Sequence, residues 1–279
     1  SWNNWFRVYK NSQSRHLTNI SNRLQIKSLS AFTKSQDWRL SLLHEEPSDL
    51  LIWITRGQGL LQLNGSRRGV GTHNAIIIPK GMVFAIELGR QVTAQIAIIP
   101  SEHNNWELCS PQHLRLRDVA EISALAGLLE AAQREAEKNL PFVDDALLAH
   151  QKLIEIWVRR NVVDSDKPQS KPKADVRLLA KFFENLPHPD MQSATMAEHA
   201  QILGVTPTHL ARASKSATGQ TAADHITARL LHKAQCALID GNQTAKAIAQ
   251  NLDFGSPAYF TRFIQQHSGF TPSQLRQRN

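Results

Sequence analysis

Leu203-Gly204-Val205-Thr206-Pro207-Thr208-His209-Leu210 and, further on, Leu252-Asp253-Phe254-Gly255-Ser256-Pro257-Ala258-Tyr259-Phe260 decide how the C-terminal part of the chain is read. In each stretch a short apolar stripe ends at a tight turn, and a hydroxyl residue followed by proline opens a new helix. Ahead of the first turn, Met196, Ala200 and Leu203 recur at i, i+4, i+7 and share a helical face, which Gly204 can close in a left-handed conformation. Thr206 supplies a capping oxygen, and Pro207 stands where its missing N–H costs nothing. Ahead of the second turn, Ala245, Ile248, Ala249 and Leu252 form the stripe, Asp253-Phe254-Gly255 turns the chain, and Ser256-Pro257 repeats the start. Helix, turn and second helix make a helix-turn-helix, whose second helix can lie in a DNA major groove. One such hairpin is a weak signal. Two with the same Thr/Ser-Pro start are a strong one.

Between the copies a helical pattern runs from Ala222 to Ile239 and closes at Asp240-Gly241. At ~1.5 Å per residue it spans roughly 27 Å, which would set two recognition helices near the ~34 Å repeat of the major groove on one face of a duplex. On the first recognition helix, Thr206 caps while Thr208, Ala211, Arg212 and Lys215 fall on one side, opposite Leu210 and Ala213. On the second, Ser256 caps and Pro257, Ala258, Thr261 and Arg262 take the corresponding places, with Tyr259, Phe260, Phe263 and Ile264 expected inward. These ten residues from the two copies, Thr206 to Lys215 and Ser256 to Arg262, are the candidate DNA-binding set. An arginine can give two hydrogen bonds to guanine, a lysine suits a phosphate, and Ala258 or Thr261 can meet a thymine methyl.

The ordered run Leu203 to Leu210, Thr218-Gly219-Gln220, Arg229-Leu230-Leu231-His232-Lys233-Ala234, Ile248-Ala249, Phe254 to Phe263 and Gly269-Phe270-Thr271-Pro272-Ser273-Gln274-Leu275-Arg276 resembles the C-terminal domain of the AraC/XylS family of bacterial transcription regulators. The resemblance implies an all-α DNA-binding domain with two helix-turn-helix motifs joined by a linker helix. It implies double-stranded DNA as partner, with RNA polymerase a candidate further one. Two positions depart from the family's pattern. Ser214 replaces a usual core phenylalanine and is expected to loosen the first motif. Asp253 replaces the turn glycine, and Asp tolerates a left-handed backbone.

The chain has 279 residues, enough for two cores, and 32 Lys and Arg against 24 Asp and Glu, net +8. Residues 174–279 hold 10 basic and 7 acidic side chains, so charge alone does not argue for nucleic acid; the motifs do. Cys109 and Cys236 offer neither a disulfide framework nor metal spacing and read as buried thiols of a reducing compartment. With no signal peptide and no long apolar run, a cytoplasmic protein is expected.

The N-terminal half changes pattern. Trp2, Trp5, Phe6 and Tyr9 are spaced for a short amphipathic helix in an N-terminal arm. Strands are expected at Leu24 to Leu29, Trp38 to Leu42, Leu50 to Thr55, Leu60 to Leu63, Ala75 to Ile78, Met82 to Leu88 and Val92 to Ile99, with a hairpin at Asn64-Gly65. Gly57-x-Gly59 and Ile76 to Phe84 resemble a cupin-like barrel. Two helices follow between Arg117 and Val162, one apolar through Val119, Ile122, Leu125 and Leu129, the other through Ala146, Leu147, His150, Leu153, Ile154 and Trp157. They either cap the barrel or form a homodimer interface, the role of this segment in the proteins it resembles.

The expected fold is therefore α+β and multidomain. A cupin-like effector-binding and dimerisation domain occupies residues 1–163, a linker 164–173 and the DNA-binding domain 174–279. No His-x-His occurs, and Phe84 stands where a metal cupin would place its last histidine, so no metal and no cofactor is expected. A barrel of this size can enclose one small molecule, and Trp38, Arg39, Trp53, Arg56 and Phe84 are its candidate lining residues. The reading is a DNA-binding transcription regulator under effector control and not an enzyme. The alternatives are a barrel-based small-molecule enzyme, for which no Ser/His/Asp or paired-carboxylate motif stands out, and a ligand-free regulator acting through a protein partner.

Overall fold

The computed structural model describes residues 23–100, 110–138, 140–165 and 172–278. The N-terminal arm, Cys109 and most of the expected linker lie outside the described residues. Two antiparallel sheets face each other: five strands in the order β1-β7-β2-β5-β8 and three in the order β4-β3-β6. The strands are β1 (Gln25–Ser28), β2 (Asp49–Arg56), β3 (Gln58–Leu63), β4 (Ser66–Gly71), β5 (Asn74–Ile78), β6 (Phe84–Leu88), β7 (Thr93–Ile99) and β8 (Gln112–Arg115). Asn64 and Gly65 have φ of 49° and 71°, the two left-handed residues that a tight hairpin between β3 and β4 requires.

The five-stranded sheet is buried on both faces, which explains its uninterrupted apolar runs. Leu50, Ile52, Ile54, Ile76, Ile78 and Ile96 point between the sheets, against Leu61, Leu63, Val70, Phe84 and Ile86. The alternate residues Leu51, Trp53, Ala75, Ile77, Ala97 and Ile99 pack under two long helices. Those are α3 (Val119–Lys138) and α4 (Val143–Ser165), which follow the short α1 (Leu29–Thr33) and α2 (Trp38–Ser41). Leu125, Leu129, Leu147, Ile154 and Trp157 supply the helical side of this second core. Leu153, expected inward, is 49% exposed, as is Val119 at 74%.

The segment Trp38 to Leu42 is a helical turn, not a strand. Its residues point three ways: Leu40 into the sheet sandwich, Trp38 and Leu42 into the core of the C-terminal domain, and Arg39 onto Asp240. A strand offers only two directions, so tertiary contact overrides the local alternation.

The C-terminal domain is all-helical: α5 (Ala174–Asn185), α6 (Met196–Ile202), α7 (Pro207–Thr218), α8 (Ala222–Asp240), α9 (Ala245–Asn251), α10 (Pro257–Ser268) and α11 (Pro272–Arg276), with a 3-10 turn at Pro189–Met191. Leu179, Phe182, Phe183, Ala200, Leu210 and Ala213 build the core of the first half. Leu231, Leu238, Ile248, Phe260, Ile264 and Leu275 build that of the second. The cores are not confined to the domain: Leu43, Val83 and Ala85 join the first and Trp38 and Leu42 the second.

Candidate nucleic-acid interface

The two helix-turn-helix units are built from the same parts. Thr195 and Thr244 cap α6 and α9 with their side-chain oxygens. The turn residues Gly204 and Asp253 are both left-handed, at φ 67° and 58°. Each turn is closed by the same bond: Val205 N–H donates to Ala200 O and Phe254 N–H to Ala249 O, both at 2.9 Å. These are the six-to-one bonds of a left-handed helix end. Thr206 then accepts from His209 N–H and Ser256 from Tyr259 N–H, with Pro207 and Pro257 leading α7 and α10. Gly219 and Gly269 end the recognition helices in the same left-handed cap.

The recognition helices present the candidate residues outward. Thr206, Thr208, Arg212 and Lys215 on α7 are exposed and Ala211 is half-buried, while Leu210, Ala213 and Ser214 are buried. On α10, Pro257, Ala258, Thr261 and Arg262 are exposed, with Ser256 half-buried beneath its capping role. The Arg212, Lys215 and Arg262 side chains have no hydrogen-bond or ion-pair partner among the described residues, so nothing there competes for their donors. Tyr259 is not a core residue: it is 53% exposed, although its ring lies 5.7 Å from that of Phe254. Ser214 does not leave a loose end. It is fully buried, and its Oγ donates to Gln220 O at 2.7 Å, tying the end of α7 to the following turn.

The linker helix α8 is the seat of the N-terminal domain. His225, Arg229, His232, Cys236 and Asp240 recur at helical spacing and face it. Gln62 of β3 lies 3.2 Å from His225 Nδ1, while Thr218 Oγ1 is 2.9 Å from His225 Nε2. Because Thr218 Oγ1 already donates to Ser214 O, His225 donates through Nε2 and accepts from the Gln62 amide. Glu45 takes Arg229 through both oxygens, one bond being 2.7 Å from Nε, with Lys233 at 3.5 Å. His232 stacks on His44, ring centroids 4.3 Å apart, and its Nε2 donates to Arg39 O. Burial holds these imidazoles neutral: it pulls His44 and His225 down to about 4 and His232 to about 3. Burial also pushes the Glu46 carboxyl up to about 7, helped by the charge on Glu45, and the Cys236 thiol up to about 11.

The five residues expected to line an effector pocket do not surround one cavity. Phe84 is fully buried between the sheets, and Trp53 is in the opposite core under α3 and α4, because Leu50, Ile52 and Ile54 take the inward parity of β2. Trp38 and Arg39 face α8, and Arg56 sits exposed at the end of β2. The sandwich interior is filled by side chains. What sequence reasoning missed is the polar stripe on α8; its only signal is that buried-type histidines and charged residues alternate along one helical face. Among the described residues no group of three or more His, Cys, Asp or Glu is placed to hold a metal ion.

Residues 199–278 match the family described as a helix-turn-helix domain. Among curated proteins none matches the chain. Among solved structures the chain is similar to ToxT from Vibrio cholerae with a bound unsaturated fatty acid, at 11% identity over 91% of this chain and 95% of that one, TM-score 0.46. It is also similar to the C-terminal domain of AraT, a response regulator from Geobacillus stearothermophilus, at 21% identity over 39% of this chain and 89% of that one, TM-score 0.35. The C-terminal domain is a helix-turn-helix domain of the AraC type. A two-sheet domain stands in front of it in the chain.

Proposed function

We propose that the protein is a sequence-specific transcription regulator that places α7 and α10 in successive major grooves and is controlled by a small molecule bound in its N-terminal domain. The observation that carries this reading is the matched pair of outward helices. Arg212 and Lys215 on one, and Arg262 on the other, are exposed with no hydrogen-bond or ion-pair partner among the described residues. Thr261 is exposed beside Arg262 with its hydroxyl donated to Pro257 O at 3.0 Å, and α8 spans the two units as one 19-residue rod. Control from the N-terminal domain is supported by its grip on that rod, through which a change in the sandwich biases the spacing of the helices. No described helix is long and apolar enough to cross a membrane, in keeping with action on DNA in the cytoplasm. Homodimerisation is supported by Leu148 and Leu153, apolar yet exposed on the outer side of α4.

Selection from a random DNA pool with the purified chain tests the reading. The expected product is a site with two recognition segments about one turn apart, ~10–10.5 base pairs. Enrichment of no sequence, or of a single short element indifferent to Arg262→Ala, would overturn it.

A further inference from the structure

A cavity of about 480 Å³ opens at one end of the sandwich, between α1–α2 on one side and the β6–β7 hairpin on the other. Leu29, Leu40, Ile86 and Val92 give it an apolar floor, and Asp37, Arg90, Ser35 and Ser41 a polar rim. Its size is that of a small-molecule site, and its lining mixes these apolar side chains with hydroxyl and charged ones. The two rim charges are notable for being free: neither the Asp37 carboxylate nor the Arg90 guanidinium has a partner among the described residues. Glu87, also on the wall, is by contrast taken by Arg67 at 3.3 Å.

The same segment that walls the cavity holds α8. Ser35, Asp37, Leu40 and Ser41 line the cavity, whereas Lys34 and Arg39, interleaved with them, bind Asp240. The turn between α1 and α2 carries two consecutive left-handed residues, Lys34 at φ 51° and Ser35 at φ 56°. Such backbone is sparsely populated for non-glycine residues and persists only where surrounding contacts hold it.

We propose that this cavity is the effector site and that it takes a small amphipathic zwitterion. The apolar body lies on the floor, the cationic group meets Asp37 and the anionic group meets Arg90. Occupancy acts on DNA binding through the α1–α2 turn, because a ligand touching Ser35 and Asp37 shifts the purchase of Lys34 and Arg39 on Asp240. The proposal rests on the reading of the chain as an effector-controlled regulator and gives that control a place and a ligand chemistry.

The test uses the full chain and the dipeptide L-leucyl-L-phenylalanine as probe, with its N-acetyl and methyl-ester forms, followed by titration calorimetry. The zwitterion is expected to bind at least tenfold more tightly than either capped form. Asp37→Asn should erase the advantage over the N-acetyl form, and Arg90→Gln that over the ester. In DNA titrations the dipeptide should change affinity for the selected site at least fivefold. Asp240→Asn and, separately, Lys34→Ala should reduce that change while leaving dipeptide affinity as it was. No binding at millimolar probe, equal binding of the capped forms, or indifference to both rim variants overturns the ligand assignment. Binding without any change in DNA affinity, or an undiminished change in both Asp240→Asn and Lys34→Ala, overturns the coupling. DNA binding measured without probe is read separately: its absence refutes the proposed function, whereas a chain that binds DNA but no dipeptide refutes only the cavity.

Discussion

Arg39 forks onto Asp240, Nη1 donating to Oδ2 at 2.7 Å and Nη2 to Oδ1 at 2.9 Å, across more than two hundred residues of sequence. The arginine is buried, and Lys34 approaches Oδ1 of the same carboxylate at 2.6 Å. The pair ties the last turn of the linker helix to a short helix of the N-terminal domain. Burial would raise the Asp240 carboxyl, but the hydrogen bonds and charges of Arg39 and Lys34 outweigh it and hold the group below its usual range.

Asp240→Ala removes the acceptor of a buried guanidinium. It is expected to lower stability by about 1–3 kcal/mol, the penalty for an unsatisfied buried group. The loss should be accompanied by faster amide exchange in α1 and α2. Denaturant titration with exchange mass spectrometry checks both; unchanged stability and exchange would mean that the fork adds nothing to the docked state.

Gly65 is required twice over. Its φ is 71°, and a Cβ there would lie 2.4 Å from Ala180 N and 2.5 Å from Val176 O on α5. Gly65→Ala should therefore cost more than the ~1–3 kcal/mol of left-handed strain alone, because the hairpin must back away from the helix. Asn64→Gly, one residue earlier in the same turn, serves as control and should be nearly neutral. Thermal melts of the two variants decide.

Stability should fall on acidification below pH 6.5. His44 and His225 are lowered to about 4, His113 to about 4 and His232 to about 3, so between those values and 6.5 the unfolded chain binds more protons than the folded one. Glu46, raised to about 7, works the other way: its contribution is present below its ordinary 4.5 and lost as pH rises through 7. Four histidines outweigh one carboxyl, so stability rises from the acid side and levels off above about pH 7. Melting temperature against pH reports this. His232→Gln should flatten the acid side, whereas Glu46→Gln, which removes the opposing contribution, should steepen the rise between 4.5 and 7. A melting temperature that climbs between pH 6.5 and 5 would contradict the assignment.

Arg262→Ala should weaken specific binding by ~1–3 kcal/mol and relax preference at one base position. Lys215→Ala should weaken binding to all sequences alike and reduce the salt slope by about one. Competition binding at several salt concentrations separates the two. Equal behaviour of both variants would remove the distinction between base and phosphate contacts.

Leu148→Lys combined with Leu153→Lys puts two charges on the exposed side of α4. If that side joins two copies, sedimentation should show a dimer turning monomeric with little change in melting temperature. A wild-type chain already monomeric at tens of micromolar would dispose of the α4 interface.

The helix-turn-helix units were legible because their signals are local. A hydroxyl before a proline, or a residue that tolerates left-handed backbone after an apolar stripe, needs no knowledge of the rest of the chain, and Asp253 at φ 58° takes the place of Gly204 as its chemistry allows. The N-terminal site was not legible, for two reasons. Leu50 to Ile54 is apolar throughout because both faces of β2 are covered, so nothing in the run tells which way Trp53 points. Trp38 to Leu42 alternates like a strand, yet its geometry is set by Asp240 and the cores on either side. Ser214 shows the converse error. A polar residue in a core position reads as a weakness, whereas its hydroxyl closes the helix end.

Because α8 belongs as much to the sandwich as to the two helix pairs, a fragment beginning at residue 174 would leave half of a shared seam uncovered. His225 would lose Gln62, Arg229 would lose Glu45, and His232 would lose the ring stacked on it. The imidazoles would hydrate and take up protons at ordinary acidity. Such a fragment would keep its turns and caps but present a wet, cationic flank that attracts any polyanion, and its apparent appetite for DNA would overstate its discrimination.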